Sequence, residues 1–234
     1  MPPKRRNLLE QAAEGFGDLL SRTVFTGGLT LDLYATVPAA PEPRPGDAVR
    51  CVLAAKTRMD LLQWEQELLR RGFTRERSAP LLDTPWRFQD VRLDLLPSNP
   101  ELMPGQRRWF EEGVFHARSF QLDGRFRIRI LSSPYLIADK LEGLRQRGPG
   151  SLRLNEDFED LVYLFAYRPE LGDELAGAFF EVRSFLREEL ASLLRQPDLD
   201  EAVFMALDQD ADMEAVDRVL ARMRSVAALQ AAAR

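Results

Sequence analysis

The spacing of apolar residues changes character part-way along the chain, and this limits the fold more than any other feature. Up to about residue 150, short runs with two-residue alternation are interleaved with runs at helical spacing; beyond it, only helical spacing is found. The clearest alternation is Val91, Leu93 and Leu95 against Asp90, Arg92 and Asp94, closed by Pro97. Mixed elements followed by helices alone predict an α+β fold, a small mixed sheet flanked by helices, with a helical C-terminal region. The expected division is a mixed domain over residues 1–150 and a helical region over 151–234 packed on it.

The elements follow from spacing and punctuation. Helices are predicted over 7–22, 58–71 (ended by Gly72), 106–115, 134–147 (opened by Ser132-Ser133-Pro134), 156–166, 170–194 and 212–230. Strands are predicted at 23–25, 47–55 and 126–131, and as a hairpin or bent strand over 86–96. Leu29 to Ala35 is too short for periodicity to decide between helix and strand. The stretch from Pro38 to Gly46 holds four prolines and reads as a loop, and Gly148-Pro149-Gly150 as a hinge. Lys4-Arg5-Arg6 is expected to be a disordered, solubilising end, since three charges give little affinity for nucleic acid at physiological salt.

Composition narrows the chemistry. One cysteine (Cys51) excludes an intramolecular disulfide and Cys-based zinc or iron–sulfur sites, and one histidine (His116) excludes a multi-histidine metal centre. Cys51 is expected to be a buried small hydrophobe, His116 a surface or packing residue, and Trp64, Trp86 and Trp109 core contacts, with Trp109 beside Arg107 and Arg108 also able to line a cleft. No run approaches the roughly 18 apolar residues of a membrane span, and the basic start leads into no signal-peptide core, so a cytoplasmic location is expected. The net charge of −5 is uneven: residues 1–150 carry 23 Lys and Arg against 19 Asp and Glu, and residues 151–212 carry 5 against 16. Any catalysis must therefore rest mainly on carboxylates, cations and backbone amides.

Three groups of residues could supply it. Gly27-Gly28 after a short strand lets the backbone approach a phosphate, because no Cβ blocks access. Asp47 and Asp94 on two strands are hard oxygen donors suited to Mg²⁺. Lys140 and Arg147 lie two turns apart on one helix face, ahead of Asp157-Phe158-Glu159-Asp160. Taken singly, each has an ordinary explanation: a turn, a solvent-facing strand residue, an exposed charged stripe.

Their order adds information. Phe25-Thr26-Gly27-Gly28, Arg44 with Asp47, Arg71-Gly72-Phe73, Val91 to Pro97, Arg108-Trp109-Phe110-Glu111-Glu112, and Ile130 to Glu142 continuing to Arg147-Gly148 and Asp157 to Val162 follow one another over about residues 23–225. This succession resembles the AbiEii (type IV toxin–antitoxin) kind of nucleotidyltransferase, within the polymerase-β-like superfamily. The resemblance implies transfer of a nucleoside monophosphate from an NTP to an RNA (tRNA) or protein acceptor with Mg²⁺, and a cognate antitoxin partner. It implies that Gly27, Gly28, Arg44, Lys140 and Arg147 bind nucleotide. Asp47 would open an Asp-x-Asp pair of metal ligands, and Asp94 would be the third carboxylate, helping to deprotonate the acceptor; Lys140 would meet phosphate or acceptor charge.

The chain departs from that pattern. With Asp47 as the first member of the pair, Val49 occupies the second position, and a valine binds no metal. Two readings stay open: an active transferase with an impaired or single-metal site, or a degenerate nucleotidyltransferase fold that binds a nucleotide, an RNA or a protein partner. On this register Val49→Asp is expected to improve metal binding.

Overall fold

The computed structural model describes residues 3–38, 40–75, 85–102, 108–147, 152–208 and 210–229. The Gly148-Pro149-Gly150 hinge, Arg107 and the last residues of the alanine-rich end lie outside them. The chain divides into two units, Met1–Thr30 with Pro45–Ser132, and Leu31–Arg44 with Ser133–Arg234.

The first unit holds a sheet. Its strands are β1 (Thr23–Thr26), β2 (Ala48–Leu53), β3 (Trp86–Phe88), β4 (Val91–Pro97), β5 (Arg118–Gln121) and β6 (Arg127–Ile130). They run in the order β3-β4-β2-β1-β6-β5. The sheet is mixed: β2 is parallel to β4 and β1 to β6, while β1–β2, β3–β4 and β5–β6 are antiparallel. The predicted hairpin forms, turning through Gln89 at φ +52°. β5 escapes the sequence pattern because it is an edge strand whose alternate residues Ser119 and Gln121 face solvent, with no apolar run to announce it.

One helix, α1 (Pro3–Phe16), begins where a disordered basic end was expected. Arg5 is 4 % exposed and donates to the carbonyl of Gly28, and Arg6 pairs with Glu10 at 2.7 Å, so these cations belong to the helix. Leu9, Ala12, Ala13 and Phe16 form the buried stripe of α1, which packs against β2, β3 and β4. Phe16 meets Phe25 edge-on at 6.0 Å and lies 5.3 Å from Phe73, placing Phe25's face of the sheet under α1. The helix α2 (Arg58–Arg70) starts at a capping box: Thr57 accepts from the Asp60 amide, and Asp60 accepts from the amides of Lys56 and Thr57. Those backbone donors hold the Asp60 carboxyl below its ordinary range. α2 ends before Gly72, at φ +87°, as its sequence predicts. Only one turn and a half of the helix predicted over 106–115 is described, α3 (Phe110–Phe115).

Cys51 lies fully buried on the face under α1, as expected of a small hydrophobe, and burial, with the Asp94 charge a smaller cause, pushes its thiol well above the ordinary range. The thiol should therefore resist alkylation by iodoacetamide at mildly alkaline pH until urea unfolds the sheet. Labelling of the folded protein at the free-thiol rate is the opposite result. Because the folded state holds the proton more tightly, Cys51 favours folding below the unfolded thiol's value of about 8.5, and that advantage is lost as pH rises from there.

The second unit is helical: α4 (Ser133–Arg147), α5 (Glu156–Tyr167), α6 (Leu171–Ala176), α7 (Phe180–Leu193), α8 (Leu199–Ala206) and α9 (Met213–Ala227). The single helix predicted over 170–194 is two, because the chain breaks at Gly177–Phe179, between α6 and α7. α4 packs on α5, α6 and α7, and α9 on α5, α6, α7 and α8. Residues 31–44 join this unit through polar links: Thr36 N donates to Tyr167 O at 3.0 Å, Arg168 Nη1 to Tyr34 O at 2.5 Å, and Tyr163 Oη to Pro41 O at 3.2 Å. Gly28–Leu33, undecided from periodicity, forms a 3-10 turn. Among the described residues no helix is long and apolar enough to cross a membrane.

Candidate functional site

Gly27, Gly28, Asp47 and Asp94 lie in the sheet unit; Arg44, Lys140 and Arg147 lie in the helical one. Each group is held by its own interactions.

In the helical unit the cations surround two carboxylates on α5. Lys140, only 1 % exposed, donates from Nζ to Asp157 Oδ1 at 3.1 Å and lies 2.5 Å from Asp160 Oδ2. Arg44 Nε donates to Asp160 Oδ1 at 2.8 Å, and Arg147 approaches Asp157 Oδ2 at 3.5 Å and Asn155 Oδ1 at 3.3 Å. Burial acts against the Arg44 charge, but Asp160, with Glu156 and Glu159, outweighs it and holds the guanidinium above its ordinary range. Asn155 caps α5 by accepting from the amides of Asp157 and Phe158, which fixes the first turn that carries the carboxylates. The structure thus brings together the three cations singled out in the sequence, on partners (Asp157 and Asp160) that the sequence motif contained without a role. Buried charges need such partners, and this cluster ties α4, α5 and the 31–44 segment into one body.

In the sheet unit the pairing register decides which side chains share a face. Paired residues of neighbouring strands project to the same side. Val49 pairs with Leu93 and is fully buried, whereas Arg50 pairs with Asp94 and is half-exposed. On the next strand Thr26 pairs with Arg50. A row Thr26–Arg50–Asp94 therefore crosses the neighbouring strands β1, β2 and β4, with Ala48 and Arg92 one pleat pair away on the same face. The positions of β2 able to stand beside Asp94 are Ala48, Arg50 and Val52. Val49 cannot present any side chain there, which corrects the register read from the sequence.

Asp47 precedes β2 and is 85 % exposed; its carboxylate accepts from Arg92 Nη1 at 3.0 Å. Arg92 Nη2 also lies 3.8 Å from Asp94 Oδ1. The two aspartates do converge, on a guanidinium that sits between them. Gly27, at φ +80°, turns the chain where β1 ends, and a Cβ there would come 3.2 Å from the Cβ of Arg50. The carbonyl of Gly28 is held from below by the buried Arg5.

A Mg²⁺ site needs several oxygen ligands around one point. Here Asp94 faces Arg50 across the ladder, Asp47 and Asp94 share Arg92, and among the described residues no group of three or more His, Cys, Asp or Glu is arranged to hold a metal ion. These residues do not fit the metal that the sequence pattern implies.

A cavity of about 650 Å³ lies at the other end of the strands, lined by Ala54 and Ser98 beyond β2 and β4 and by Lys56, Arg108, Glu111 and His116. Its charges are engaged, with Lys56 on Glu111 at 3.0 Å and Arg108 over the Trp109 ring at 4.4 Å. His116 follows α3 against the Phe115 ring, and Trp64, Trp86 and Trp109 are all buried, as expected.

Comparison with solved structures places this architecture. The chain is similar to a solved structure described as a putative nucleotidyltransferase from H. pylori, with a TM-score of 0.50 and 12 % identity, over 96 % of this chain and 93 % of the other. The fold is nucleotidyltransferase-like. JHP933 from Helicobacter pylori superposes with a TM-score of 0.48 and 12 % identity, over 97 % of this chain and 93 % of its own. No protein-family model and no curated protein matches the sequence. Around the glycine pair and Asp94 the structure places Thr26, Arg50 and Arg92, to which sequence reasoning gave no role. The signal was present only in part: Arg50 differs in parity from Asp47, but parity acquires meaning only once β2 is registered against β4.

Proposed function

We propose that this chain is a nucleotidyltransferase-like protein of the AbiEii type whose sheet face has lost metal-dependent transfer and serves to bind a nucleotide. The observation that carries the proposal is the pairing of Arg50 with Asp94. An Asp-x-Asp pair can share metals with a third carboxylate only if all three project from one face, and the β2 residues on Asp94's face at that spacing are Ala48 and Arg50. Neither is a metal ligand, and the permanent positive charge of Arg50 repels a divalent cation. The resemblance in the order of motifs supports the AbiEii placing, and fold kinship alone does not supply an activity.

The convergence of Asp47 and Asp94 on Arg92 favours a second reading. In it, Asp47 and Asp94 would be the residues to hold a single Mg²⁺ once Arg92 swung aside, and the ion would supply charge neutralisation for slow NMP transfer to an RNA (tRNA) or protein acceptor. A cognate antitoxin belongs to that reading.

The assay that separates them supplies each labelled NTP in turn with Mg²⁺ or Mn²⁺, total RNA and a protein extract. No label should enter either fraction above the level of a no-protein control, and Asp94→Ala should behave like the parent. Transfer that Asp94→Ala abolishes would overturn the proposal in favour of the second reading.

A further inference from the structure

We propose that the outward face of α8, together with Leu154, is the docking surface for a basic amphipathic helix of a partner protein. The surface lies wholly in the helical unit and does not involve the sheet face. α8 is apolar on more than one side. Leu199, Ala202 and Val203 turn into the core, as a helix packed on a domain requires. Phe204 and Met205 stand on the outward side, 45 % and 57 % exposed. Asp200 and Glu201, one turn earlier, are exposed and share that side with them. The face is therefore acidic over its first turn and apolar over its second.

Leu154 adds an anchor. It is 90 % exposed and holds φ +65°, a left-handed conformation that a leucine adopts only under strain. Arg153 ties this turn to α8 by pairing with Glu201 at 2.5 Å, and Asn155 fixes its other side as the cap of α5. A strained turn fastened to α8 thus keeps an aliphatic side chain in solvent, where Phe204 and Met205 are uncovered too. Apolar surface rimmed by charge marks a protein-binding site more often than a bare surface does. Phe and Met are enriched at such interfaces, and the unbranched Met side chain adapts to what it meets.

Charge names the partner. Residues 198–217 hold eight Asp and Glu and no Lys or Arg. Arg153 answers Glu201, Arg218 answers Glu214 at 2.7 Å, and Arg222 turns onto the carbonyls of Phe165 and Ala166. Even with Arg195 and Arg224 added to those three, the acids outnumber the cations by eight to five. Such a surface repels nucleic acid and anionic lipid and attracts Lys and Arg. A helix whose apolar stripe is bordered by Lys and Arg matches both halves of the α8 face. Its apolar side chains would cover Phe204, Met205 and Leu154, and its cations would meet Asp200 and Glu201.

The test is fluorescence anisotropy of a labelled peptide titrated with the full chain. The probe is a helix of about four turns, made of Leu and Lys at amphipathic spacing. One control replaces each Lys by Glu; another keeps the composition but rearranges it so that no face is apolar. The Leu/Lys helix should bind, and both controls should bind at least about tenfold more weakly. Phe204→Ser with Met205→Ser should weaken binding roughly tenfold or more, and Leu154→Ser or Asp200→Lys roughly 3–10-fold. Met59→Ser with Leu62→Ser, on the exposed apolar side of α2 in the sheet unit, should leave binding unchanged. Thermal unfolding followed by circular dichroism establishes that each variant is folded. Should the Phe204 and Met205 variant not fold, Asp200→Lys decides, because it removes no apolar contact. No binding of the Leu/Lys helix, equal binding of either control, equal affinity in the folded α8 variants, or a loss that follows the α2 variant would each overturn the inference. Sedimentation of the chain alone tests the other occupant: a dimer abolished by the Phe204 and Met205 variant would assign the surface to a second copy and overturn it as well.

Discussion

Val49→Asp is expected to unfold the sheet unit rather than to complete a metal site. Val49 is fully buried on β2, paired with Leu93 on the face that also carries Cys51 and Phe25. The substitution forfeits the burial of an aliphatic side chain, about 1.5–3 kcal/mol, and places a carboxylate where no donor waits for it. A total loss on the order of 4–5 kcal/mol approaches the whole stability of many domains. All three tryptophans (Trp64, Trp86, Trp109) lie in this unit, so urea titration followed by tryptophan fluorescence reads it directly. Burial raises the introduced carboxyl's folded value above its unfolded value of about 3.9, so the defect should be smallest at acid pH and grow as pH rises. The informative contrast is Ala48→Asp with Arg50→Asp. Both positions are half-exposed and stand on Asp94's face, so this variant should stay folded and gain Mg²⁺ binding in a calorimetric titration. A folded Val49→Asp protein that binds Mg²⁺ would show that the register argument is wrong.

Lys140→Met is expected to cost about 3–5 kcal/mol of stability in the helical unit, because it leaves buried carboxylates without their shared cation. Asp157 and Asp160 are 3 % and 0 % exposed at the side chain, and Lys140 touches both. Arg44, paired with Asp160, and Arg147, 3.5 Å from Asp157, remain, but each is partly exposed. Far-UV circular dichroism during urea titration reads the loss, since this unit is helical and holds no tryptophan. A phosphate-binding role for Lys140 predicts the reverse: unchanged unfolding and lost ATP affinity. Lys140→Arg distinguishes charge from shape, for a guanidinium does not fit a pocket built around an ammonium held by two carboxylates.

How far the sequence carried the interpretation depends on the range of the interaction that decided each feature. The alternation of Val91, Leu93 and Leu95 is local, and β4 shows that burial pattern residue by residue. The same holds for α2, whose Thr57 cap and Gly72 end are set within a few residues of the helix itself. The break at Gly177–Phe179 was missed because helical spacing continues on both sides of it. The Lys140 helix was singled out, but its meaning came from α5 and from Arg44, which lies 116 residues from Asp160.

By itself the sequence determined the class of fold and most of its elements, ruled out multi-cysteine and multi-histidine metal sites through its one Cys and one His, and singled out Gly27, Asp94 and Lys140 as candidates. Those are properties of composition and short-range periodicity, written into neighbouring residues. Only the tertiary structure decided what these residues face. A strand exposes its two sides alternately, so one residue of register determines whether Val49 or Arg50 stands beside Asp94, and that register is set by pairing with strands more than twenty residues away in each direction. The answer placed a guanidinium-bearing residue, Arg50, beside Asp94 where the sequence pattern had led to a missing carboxylate.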